Sequence, residues 1–367
     1  MEQTLYRRPL PSDAIAFSSS EGRQLFAEAL AAGGLDGYFP LAEQFHTQSE
    51  PEYCGLGSLV VALNALAIDP GRLWKGPWRW FSEELLDCCV PLSVIRERGL
   101  AFDELACLAR CNGAEVEAVR ANGGNLEAWR DALRASSCAG TVVIVSYDRA
   151  AMGQTGSGHF SPIGGYHAAR DLVLVLDVAR FKYPPHWVPA ERLWQAMQSI
   201  DPASGLPRGW LTLRPRSGGM ALGYSVNCSG EVGADLARRV KLAVADLGPA
   251  ADVPALARAI LPLVAHIEVR MPSAGPHQAA LEVARAALRE TPAYAQVTSA
   301  LGEEHAEVVT VLLLASIDLL LPEQRPKLVA SLGSLPEASP LAAEITNLRA
   351  QLAALWEHAR AAERAQA

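Results

Sequence analysis

Along the first 215 residues, the spacing of apolar positions is typical of helices at first and of strands later. Residues 21–32 have helical spacing and end at Gly33-Gly34, and residues 57–67 are apolar nearly all round, as in a buried central helix. Ser82 before two glutamates predicts the start of a further helix. Strand-type runs follow at residues 141–147, 172–178 and 210–213. Because helices precede strands without βαβ alternation, the pattern predicts an α+β fold and not a doubly wound sheet.

A second unit follows a break rich in Pro and Gly at residues 214–219. We place the first domain at residues 1–215 and the second at residues 221–367. The second is rich in Ala and Leu, and its periodicity predicts a mostly α-helical C-terminal domain. The predicted helices lie at about residues 234–246, 253–270, 277–291, 304–321 and 337–360.

The last predicted helix carries an apolar stripe with alternating spacings of four and three. The stripe consists of Leu341, Ile345, Leu348, Leu352 and Leu355. It covers only about two heptads, fewer than a coiled coil requires. Packing within its own domain is therefore favoured, and self-association into a homodimer is the alternative.

Composition places the chemistry in the first domain. The chain has 7 Cys, 8 Trp, 8 Tyr and 8 Phe, and residues 1–220 contain 6, 7, 6 and 8 of them respectively. The tryptophans at 74, 78 and 80 are expected to pack within this domain. The second domain has a single cysteine, Cys228.

Charge and hydropathy exclude two classes of partner. A net charge of −8 and a pI of about 5.6 argue against a nucleic-acid binder. The longest apolar stretch, residues 308–321, contains Asp318 and is shorter than the ~20 residues that span a bilayer, so we expect no membrane passage. An odd number of cysteines, with no apolar leader at the N-terminus, indicates reduced thiols and a cytoplasmic location.

Candidate chemistry begins at Cys54, just before the predicted buried helix. The positive end of a helix dipole lowers the pKa of a thiol and favours the nucleophilic thiolate. Gln48, six residues upstream, is a neutral amide that, with a backbone N–H, would form an oxyanion hole for an acyl intermediate. The alternative for Cys54 alone is a small buried apolar side chain.

Two further residues strengthen the catalytic interpretation. His159 ends a glycine-rich turn, and Asp177 lies 18 positions later inside an apolar run. A buried carboxylate needs a partner, and an imidazole is one. The order Cys, His, Asp suits a thiol enzyme in which His is base and acid and Asp orients the imidazole. The glycines fit a substrate lying against the backbone, and they match neither the dinucleotide fingerprint nor a P-loop.

Specific motifs resemble the phytochelatin synthase family. They include Gln48-Ser-Glu-Pro-x-x-Cys54-Gly, Leu86-Asp-Cys-Cys89, Gln154-Thr-Gly-Ser-Gly-His159-Phe-Ser-Pro and Asp177-Val-Ala-Arg-Phe-Lys-Tyr-Pro-Pro-His-Trp. The resemblance extends almost continuously over residues 4–215. It implies a papain-like catalytic domain with Cys54 as nucleophile, His159 as general base and acid, Asp177 as orienting acid and Gln48 as oxyanion donor.

The resemblance also implies the reaction. Cys54 would attack the Cys–Gly peptide bond of glutathione, release glycine, and pass γ-Glu-Cys to a second glutathione or a phytochelatin oligomer, as an acyltransferase. Heavy-metal ions such as cadmium or zinc would activate it as metal–glutathione thiolates, and no organic cofactor is implied. The alternatives are a glutathione hydrolase, which passes the acyl group to water, and a thiol metal buffer without turnover.

Basic and aromatic residues near the motifs are candidates for binding anionic glutathione. They are Phe160, Arg180, Lys182, Tyr183, Arg208 and, for a second acyl or acceptor site, Arg149. An extended strand through Asp177 would direct Arg180 and Lys182 to the opposite face, unless the strand ends first. A solvated charge or a local ion pair is the alternative for each basic residue.

The remaining cysteines of the first domain are candidate soft-metal ligands. Cys107 and Cys111 are four apart on one helical face and would bind metal together with Cys88 or Cys89. Cys88 and Cys89 are adjacent and cannot both point the same way. The alternative is a set of buried thiols in a reducing cell.

Overall fold

The computed structural model describes residues 7–70, 74–87, 90–215, 223–226, 242, 252–269, 276–317, 339–349 and 351–353. Helices of the first domain are α1 (Ser20–Ala31), α2 (Tyr38–Gln44), α3 (Cys54–Ala65), α4 (Leu92–Arg98), α5 (Phe102–Cys111), α6 (Leu126–Ser136) and α7 (Ala190–Met197). Short 3-10 helices span Glu83–Leu85, Ala121–Gly123 and Ala168–Arg170. Its strands are β1 (Ile15–Ala16), β2 (Ala114–Arg120), β3 (Val142–Asp148), β4 (Gly158–His167), β5 (Leu172–Val175), β6 (His186–Pro189), β7 (Ile200–Asp201), β8 (Leu206–Pro207) and β9 (Gly209–Pro215).

A seven-stranded sheet in the order β1-β6-β5-β4-β3-β9-β2 organises this domain, and every pair in it is antiparallel. The interior strand β3 alternates between two cores: Val142 and Ile144 pack with α3 and α5, whereas Val143 and Val145 pack with α6 and α7. The chain is thus mixed helix and sheet, and the expectation of no doubly wound sheet is confirmed.

All three strand-type runs of the first domain are strands, but β4 was not expected. It contains Pro162 and the pair Gly164-Gly165, which usually interrupt strands. A Cβ at Gly165 would lie 2.1 Å from Leu35 Cδ2, so the close packing of the α1–α2 connection on the sheet requires glycine there. The register also shifts between Ile163 and Gly165.

The predicted central helix is confirmed as α3, which begins earlier than expected, at Cys54, and is buried along most of its length. The helix predicted at Ser82 is wrong. Only the 3-10 turn Glu83–Leu85 forms there, and Ser82 makes no capping hydrogen bond. The side chain of Glu83 accepts hydrogen bonds from Ser49 instead, which ties this turn to the segment before α3.

Three tryptophans contradict the expected packing. Trp74, Trp78 and Trp80 are 37%, 68% and 42% exposed. Lys75 and Trp78 form an isolated antiparallel bridge, and the Lys75 ammonium lies 4.7 Å from the centre of the Trp74 ring. The local turn therefore holds these rings at the surface and not in the core.

The described part of the second domain is mostly helical. It contains β10 (Tyr224–Val226), α8 (Val253–Ile260), a 3-10 helix (Leu261–His266), β11 (Ile267–Val269), α9 (Pro276–Arg289), α10 (Pro292–Leu301), α11 (Glu303–Ala315) and helical residues 340–349. The single helix predicted at 253–270 is therefore wrong beyond Ile260. The helix α10 was missed, although Thr291 caps it and Pro292 follows at a favourable position. The predicted helix 234–246 lies outside the described residues except for residue 242.

The stripe of the last helix is buried within its own domain. Leu341, Ile345, Leu348 and Leu352 are at most 1% exposed and belong to one core with α8 and α11, and Leu355 lies outside the described residues. These four residues thus confirm packing within the domain, and no homodimer seam is exposed along them. No helix in the described ranges is long and apolar enough to cross a membrane.

Candidate active site

The ends of three elements bring together Cys54, His159 and Asp177. Cys54 is the first residue of α3, His159 the second of β4, and Asp177 lies two residues after β5 ends. His159 Nε2 is 2.9 Å from Asp177 Oδ1, and Asp177 is fully buried. Cys54, His159, Gln48 and Arg149 line one cavity of about 250 Å³. Since the carboxylate accepts from Nε2–H, Nδ1 of His159 is the ring nitrogen left to accept a proton.

Strand pairing and one side-chain bond hold this arrangement. His159 pairs with Tyr147 on β3, and their rings meet edge to face at 5.7 Å. On α3, Ser58 Oγ donates to the carbonyl of Phe160 at 3.1 Å. The Phe160 ring is buried next to Gly55, where a Cβ would lie 3.5 Å from it. Phe160, predicted to bind substrate, thus packs from β4 against α3 and joins the strand of His159 to the helix of Cys54.

Asp177 is held as a carboxylate. Arg149 Nη2 lies 2.9 Å from Oδ1 and 2.8 Å from Oδ2, and the Ala179 N–H donates to Oδ1 at 2.9 Å. Burial would raise the pKa of Asp177, but the charge and hydrogen bond of His159 and the charge of Arg149 outweigh it and hold this pKa well below its usual range. The acid can therefore orient the imidazole across the pH range in which proteins work.

Burial sets the resting protonation of the other two residues. It lowers the pKa of His159 to about 4, and Arg149 adds to this effect, while Asp177 opposes it. Burial also raises the pKa of the Cys54 thiol, although the Phe160 backbone and Arg149 act in the opposite direction. The expectation that the helix dipole would lower the Cys54 pKa is wrong in its net direction, because loss of hydration outweighs it.

Gln48 lies at the cavity, but its amide is engaged. Nε2 donates to the carbonyls of Glu50 at 2.8 Å and Pro51 at 2.7 Å, and Oε1 is buried without a partner. A Cβ at Gly57, one turn along α3, would lie 3.2 Å from the Gln48 Cβ. The sequence predicts an available oxyanion donor. Here both N–H groups hold the turn of residues 48–51, so the donor role requires one of those bonds to exchange.

The glycines before His159 make room for cationic side chains. A Cβ at Gly156 would lie 3.0 Å from Lys182 Nζ and 3.4 Å from Arg149 Cδ. A Cβ at Gly158 would lie 2.5 Å from Arg208 Nη1. The glycine-rich turn was expected to admit substrate, and it also brings three positive charges close to His159.

The predicted substrate residues divide between two places. Lys182 lines the cavity with Cys54, and no salt-bridge partner for it occurs among the described residues. Arg208 is 6% exposed, lies 3.7 Å from Asp201, and has a buried Nε without a hydrogen bond. Arg180 lies elsewhere: its guanidinium is over the Phe45 ring at 4.9 Å, and it lines a separate cavity of about 350 Å³. Since β5 ends before Asp177, Arg180 and Lys182 do not share a strand face.

Tyr183 is buried behind the cavity. It is 1% exposed, its hydroxyl accepts from the Thr155 N–H at 2.7 Å, and the Arg149 guanidinium lies 5.1 Å from its ring. It therefore supports the glycine-rich turn, whereas the sequence suggested a wall or donor for the substrate.

Arg149 pairs with Asp177 and also lines the cavity with Cys54. The sequence predicts that it binds the acceptor substrate, and the structure shows that it also holds the Asp177 carboxylate.

A model of the phytochelatin synthase family matches residues 5–210. The chain belongs to this family. Among curated relatives it is 55% identical over 231 residues to glutathione gamma-glutamylcysteinyltransferase 3 of Lotus japonicus, covering 62% of this chain and 48% of the relative. It is 52% identical to glutathione gamma-glutamylcysteinyltransferase 1 of Arabidopsis thaliana, and the match covers 65% of this chain and 50% of the relative. It is 44% identical to the Schizosaccharomyces pombe enzyme, and that match covers 59% of this chain and 52% of the relative. The chain spans about half the length of the curated relatives it matches.

The predicted metal ligands of this family member are only partly described. Cys107 and Cys111 lie on consecutive turns of α5, both buried, with their Sγ atoms 3.8 Å apart. Cys88 and Cys89 lie outside the described residues. Among the residues that are described, no three His, Cys, Asp or Glu side chains are grouped so as to hold a metal ion.

Sequence reasoning missed three side chains near the site. Gln154 and His186 are buried behind Asp177, and Glu83 holds the segment that carries Gln48. Gln154 and His186 occur in the motifs that carry the family resemblance, which was the only available signal. Nothing in the spacing of Glu83, 34 residues after Ser49, indicated their contact.

Proposed function

We propose that this protein is a γ-glutamylcysteine dipeptidyl transferase that uses glutathione as acyl donor and as acceptor. One observation carries the proposal: Cys54 and His159, whose ring is hydrogen-bonded to Asp177, line one cavity together with Lys182. A thiol with a base suits acyl transfer, and cations suit a peptide with two carboxylates. The names of the relatives, matched over about half their length, support the same activity. We also infer a papain-like arrangement of the first domain.

Acylation begins when Cys54 gives its proton to Nδ1 of His159 and attacks the Cys–Gly carbonyl of glutathione. The backbone N–H at the start of α3 and one N–H of Gln48, released from its turn, stabilise the oxyanion. His159 then protonates the glycine amine as the C–N bond breaks. A γ-Glu-Cys thioester on Cys54 remains, and Asp177 stabilises the imidazolium formed on the way.

Transfer needs an acceptor in place before water arrives. The α-amino group of a second glutathione, or of a phytochelatin oligomer, attacks the thioester, and His159 removes its proton. Lys182 and Arg208 bind donor carboxylates near the cavity. Since Arg149 pairs with Asp177, we assign the acceptor's carboxylate to Arg180 and Arg7 in the neighbouring cavity.

Heavy-metal ions enter as part of the substrate. Cadmium and zinc prefer soft thiolates, and a metal–glutathione thiolate carries both the metal and the acyl group. Metal is then removed from solution as the product chain grows. We place this activity in the cytoplasm, where thiols stay reduced. The homodimer remains a prediction.

Mass spectrometry of products separates the candidate functions. Wild-type protein is incubated with glutathione, with and without cadmium, next to Cys54→Ser and the matched control Cys138→Ser, whose thiol is exposed outside the site. We expect oligomers and free glycine from wild type and control, and none from Cys54→Ser. Release of γ-Glu-Cys without oligomers would support a hydrolase. Metal binding without glycine release would support a thiol buffer, and undiminished release by Cys54→Ser would refute the proposal.

A further inference from the structure

A row of buried polar side chains continues from Asp177 away from the cavity. Arg149 Nη1 donates to Gln154 Oε1 at 2.6 Å, and Gln154 Nε2 lies 3.0 Å from His186 Nε2. His186 Nδ1 lies 2.8 Å from the carbonyl oxygen of Pro184. The row therefore joins the β3–β4 connection to β6 through four consecutive hydrogen bonds, counted from Asp177 to Pro184.

Burial makes these contacts interdependent. Arg149, Gln154 and His186 are 3%, 6% and 1% exposed. A buried polar group without a partner is costly, so loss of one member leaves its neighbours unsatisfied. Neither Gln154 nor His186 lines the cavity with Cys54, and the mechanism above uses neither of them directly.

Only one assignment of donors and acceptors along this row gives every group a hydrogen-bond partner. The Pro184 carbonyl can only accept, so His186 carries its proton on Nδ1 and Nε2 accepts. Gln154 must then direct its NH2 group to His186 and its oxygen to Arg149. The Arg149 guanidinium has only donors, so Nη1 donates to the Gln154 oxygen and Nη2 donates to the Asp177 carboxylate. The Pro184 carbonyl thus fixes the orientation of every group up to the carboxylate.

We propose that Gln154 and His186 are positioning residues that hold Arg149 against Asp177, next to His159 and Cys54. Arg149 is the link, because its charge lies near both reacting groups. The other groups that face it are Tyr147 on β3, whose ring centre is 6.0 Å away, Tyr183, and Lys182. The activity readout rests on the proposed function, whereas the alkylation readout below does not.

The variants remove single links and keep volume. Gln154→Leu removes the amide contacts with Arg149 and His186. His186→Phe keeps an aromatic ring but removes the Nε2 acceptor. His186→Gln places an amide oxygen near the position of Nε2 and should restore the link. The matched control is His167→Phe, since His167 is also a buried histidine but contacts Glu28 on α1, away from the site.

Two assays on the full chain measure the effect. The first is glycine release from glutathione, as kcat, KM and a pH profile. The second is alkylation of Cys54 by iodoacetamide against pH, with the modified peptide identified by mass spectrometry. For Gln154→Leu and His186→Phe we expect kcat to fall about 10- to 100-fold with little change in KM, because the base is misplaced while binding groups stay. We expect both pH midpoints to rise by at least about half a unit, because Arg149 no longer lowers the two pKa values.

Rescue distinguishes positioning from folding. We expect His186→Gln to recover most of kcat and the wild-type pH midpoints, and His167→Phe to match wild type. Unchanged midpoints in Gln154→Leu and His186→Phe, when wild type is active, would overturn the inference. A fall in activity that His186→Gln shares with His186→Phe would also overturn it. An inactive wild type with a shifted alkylation midpoint in the variants would refute the proposed function and leave the inference supported.

Discussion

Burial favours the neutral forms of His159 and Cys54, because it removes hydration from both charged forms. Arg149 is the charge that connects them: it lowers the pKa of the imidazole and of the thiol together. Asp177 stays ionised because its two partners outweigh its own desolvation. In the proposed mechanism, proton transfer from Cys54 to His159 therefore accompanies attack on the substrate carbonyl.

In the proposed mechanism, the acid limb of the pH profile of glycine release reports the protonation of His159. Its imidazole must be neutral to act as base, and its pKa is lowered from 6.5 to about 4, so activity is lost only as the pH falls toward that lower value. We expect glycine release to persist well below pH 6.5, measured as kcat/KM against pH. If activity were instead lost at about pH 6.5, the ordinary pKa of a histidine, the lowered pKa of His159 would be contradicted.

Gly158 determines where Arg208 lies. In Gly158→Ala, a Cβ would lie 2.5 Å from Nη1, and the side chain of Arg208 can move away more easily than β4 can. We expect KM for glutathione to rise about 5- to 20-fold, the loss of one charge-assisted hydrogen bond, with a small change in Tm. Gly123→Ala is the control, because a Cβ there meets nothing within 4 Å. An unchanged KM would show that Arg208 does not bind the substrate.

At the scale of elements, the site depends on segments that contact α3 from different parts of the chain. β4 brings His159 to the helix, and the Ser58 bond to Phe160 aligns the two. The turn at residues 48–51 approaches from the other side and is held by Glu83 from the 3-10 helix Glu83–Leu85. Gly57 allows this approach, since its missing side chain leaves room for Gln48 and Glu83.

Glu83→Ala tests this attachment. Ser49 loses its acceptors for N–H and Oγ but is itself exposed, so we expect a loss of about 1–3 kcal/mol in the free energy of unfolding. We also expect kcat for glycine release to fall at least about tenfold, because Gln48 moves relative to Cys54. Urea unfolding and steady-state kinetics measure the two effects. Glu83→Gln keeps an acceptor for Ser49 and should recover kcat; failure to do so would contradict a positioning role for this turn.

At the scale of the molecule, the described hydrophobic cores divide at the break after residue 215. Two clusters draw only on residues of the first domain, and the third draws only on residues from Tyr224 onward. Every catalytic and substrate candidate lies in the first domain. The curated relatives match the chain over 59–65% of its length, close to the extent of that domain.

Residues 1–215 are therefore expected to fold and react alone. Since distant sites contribute nearly independently, we expect kcat/KM for glycine release within about threefold of the full chain. Circular dichroism, thermal melting and the product assay on the purified fragment measure this. A fragment that is folded but inactive would assign part of the site to the second domain, and an unfolded one would contradict the independence of the cores.

The sequence by itself determined the α+β order, the central helix, the mostly helical second domain and the Cys54, His159 and Asp177 candidates. It could do so because periodicity and motif spacing are local properties of the chain. Only the tertiary structure decided that Gln48 engages its own turn, that Glu83 holds Ser49, and that Arg149, Gln154 and His186 extend behind Asp177. These contacts depend on burial and on the orientation of donors and acceptors across long separations, and neither property appears in the spacing of residue types.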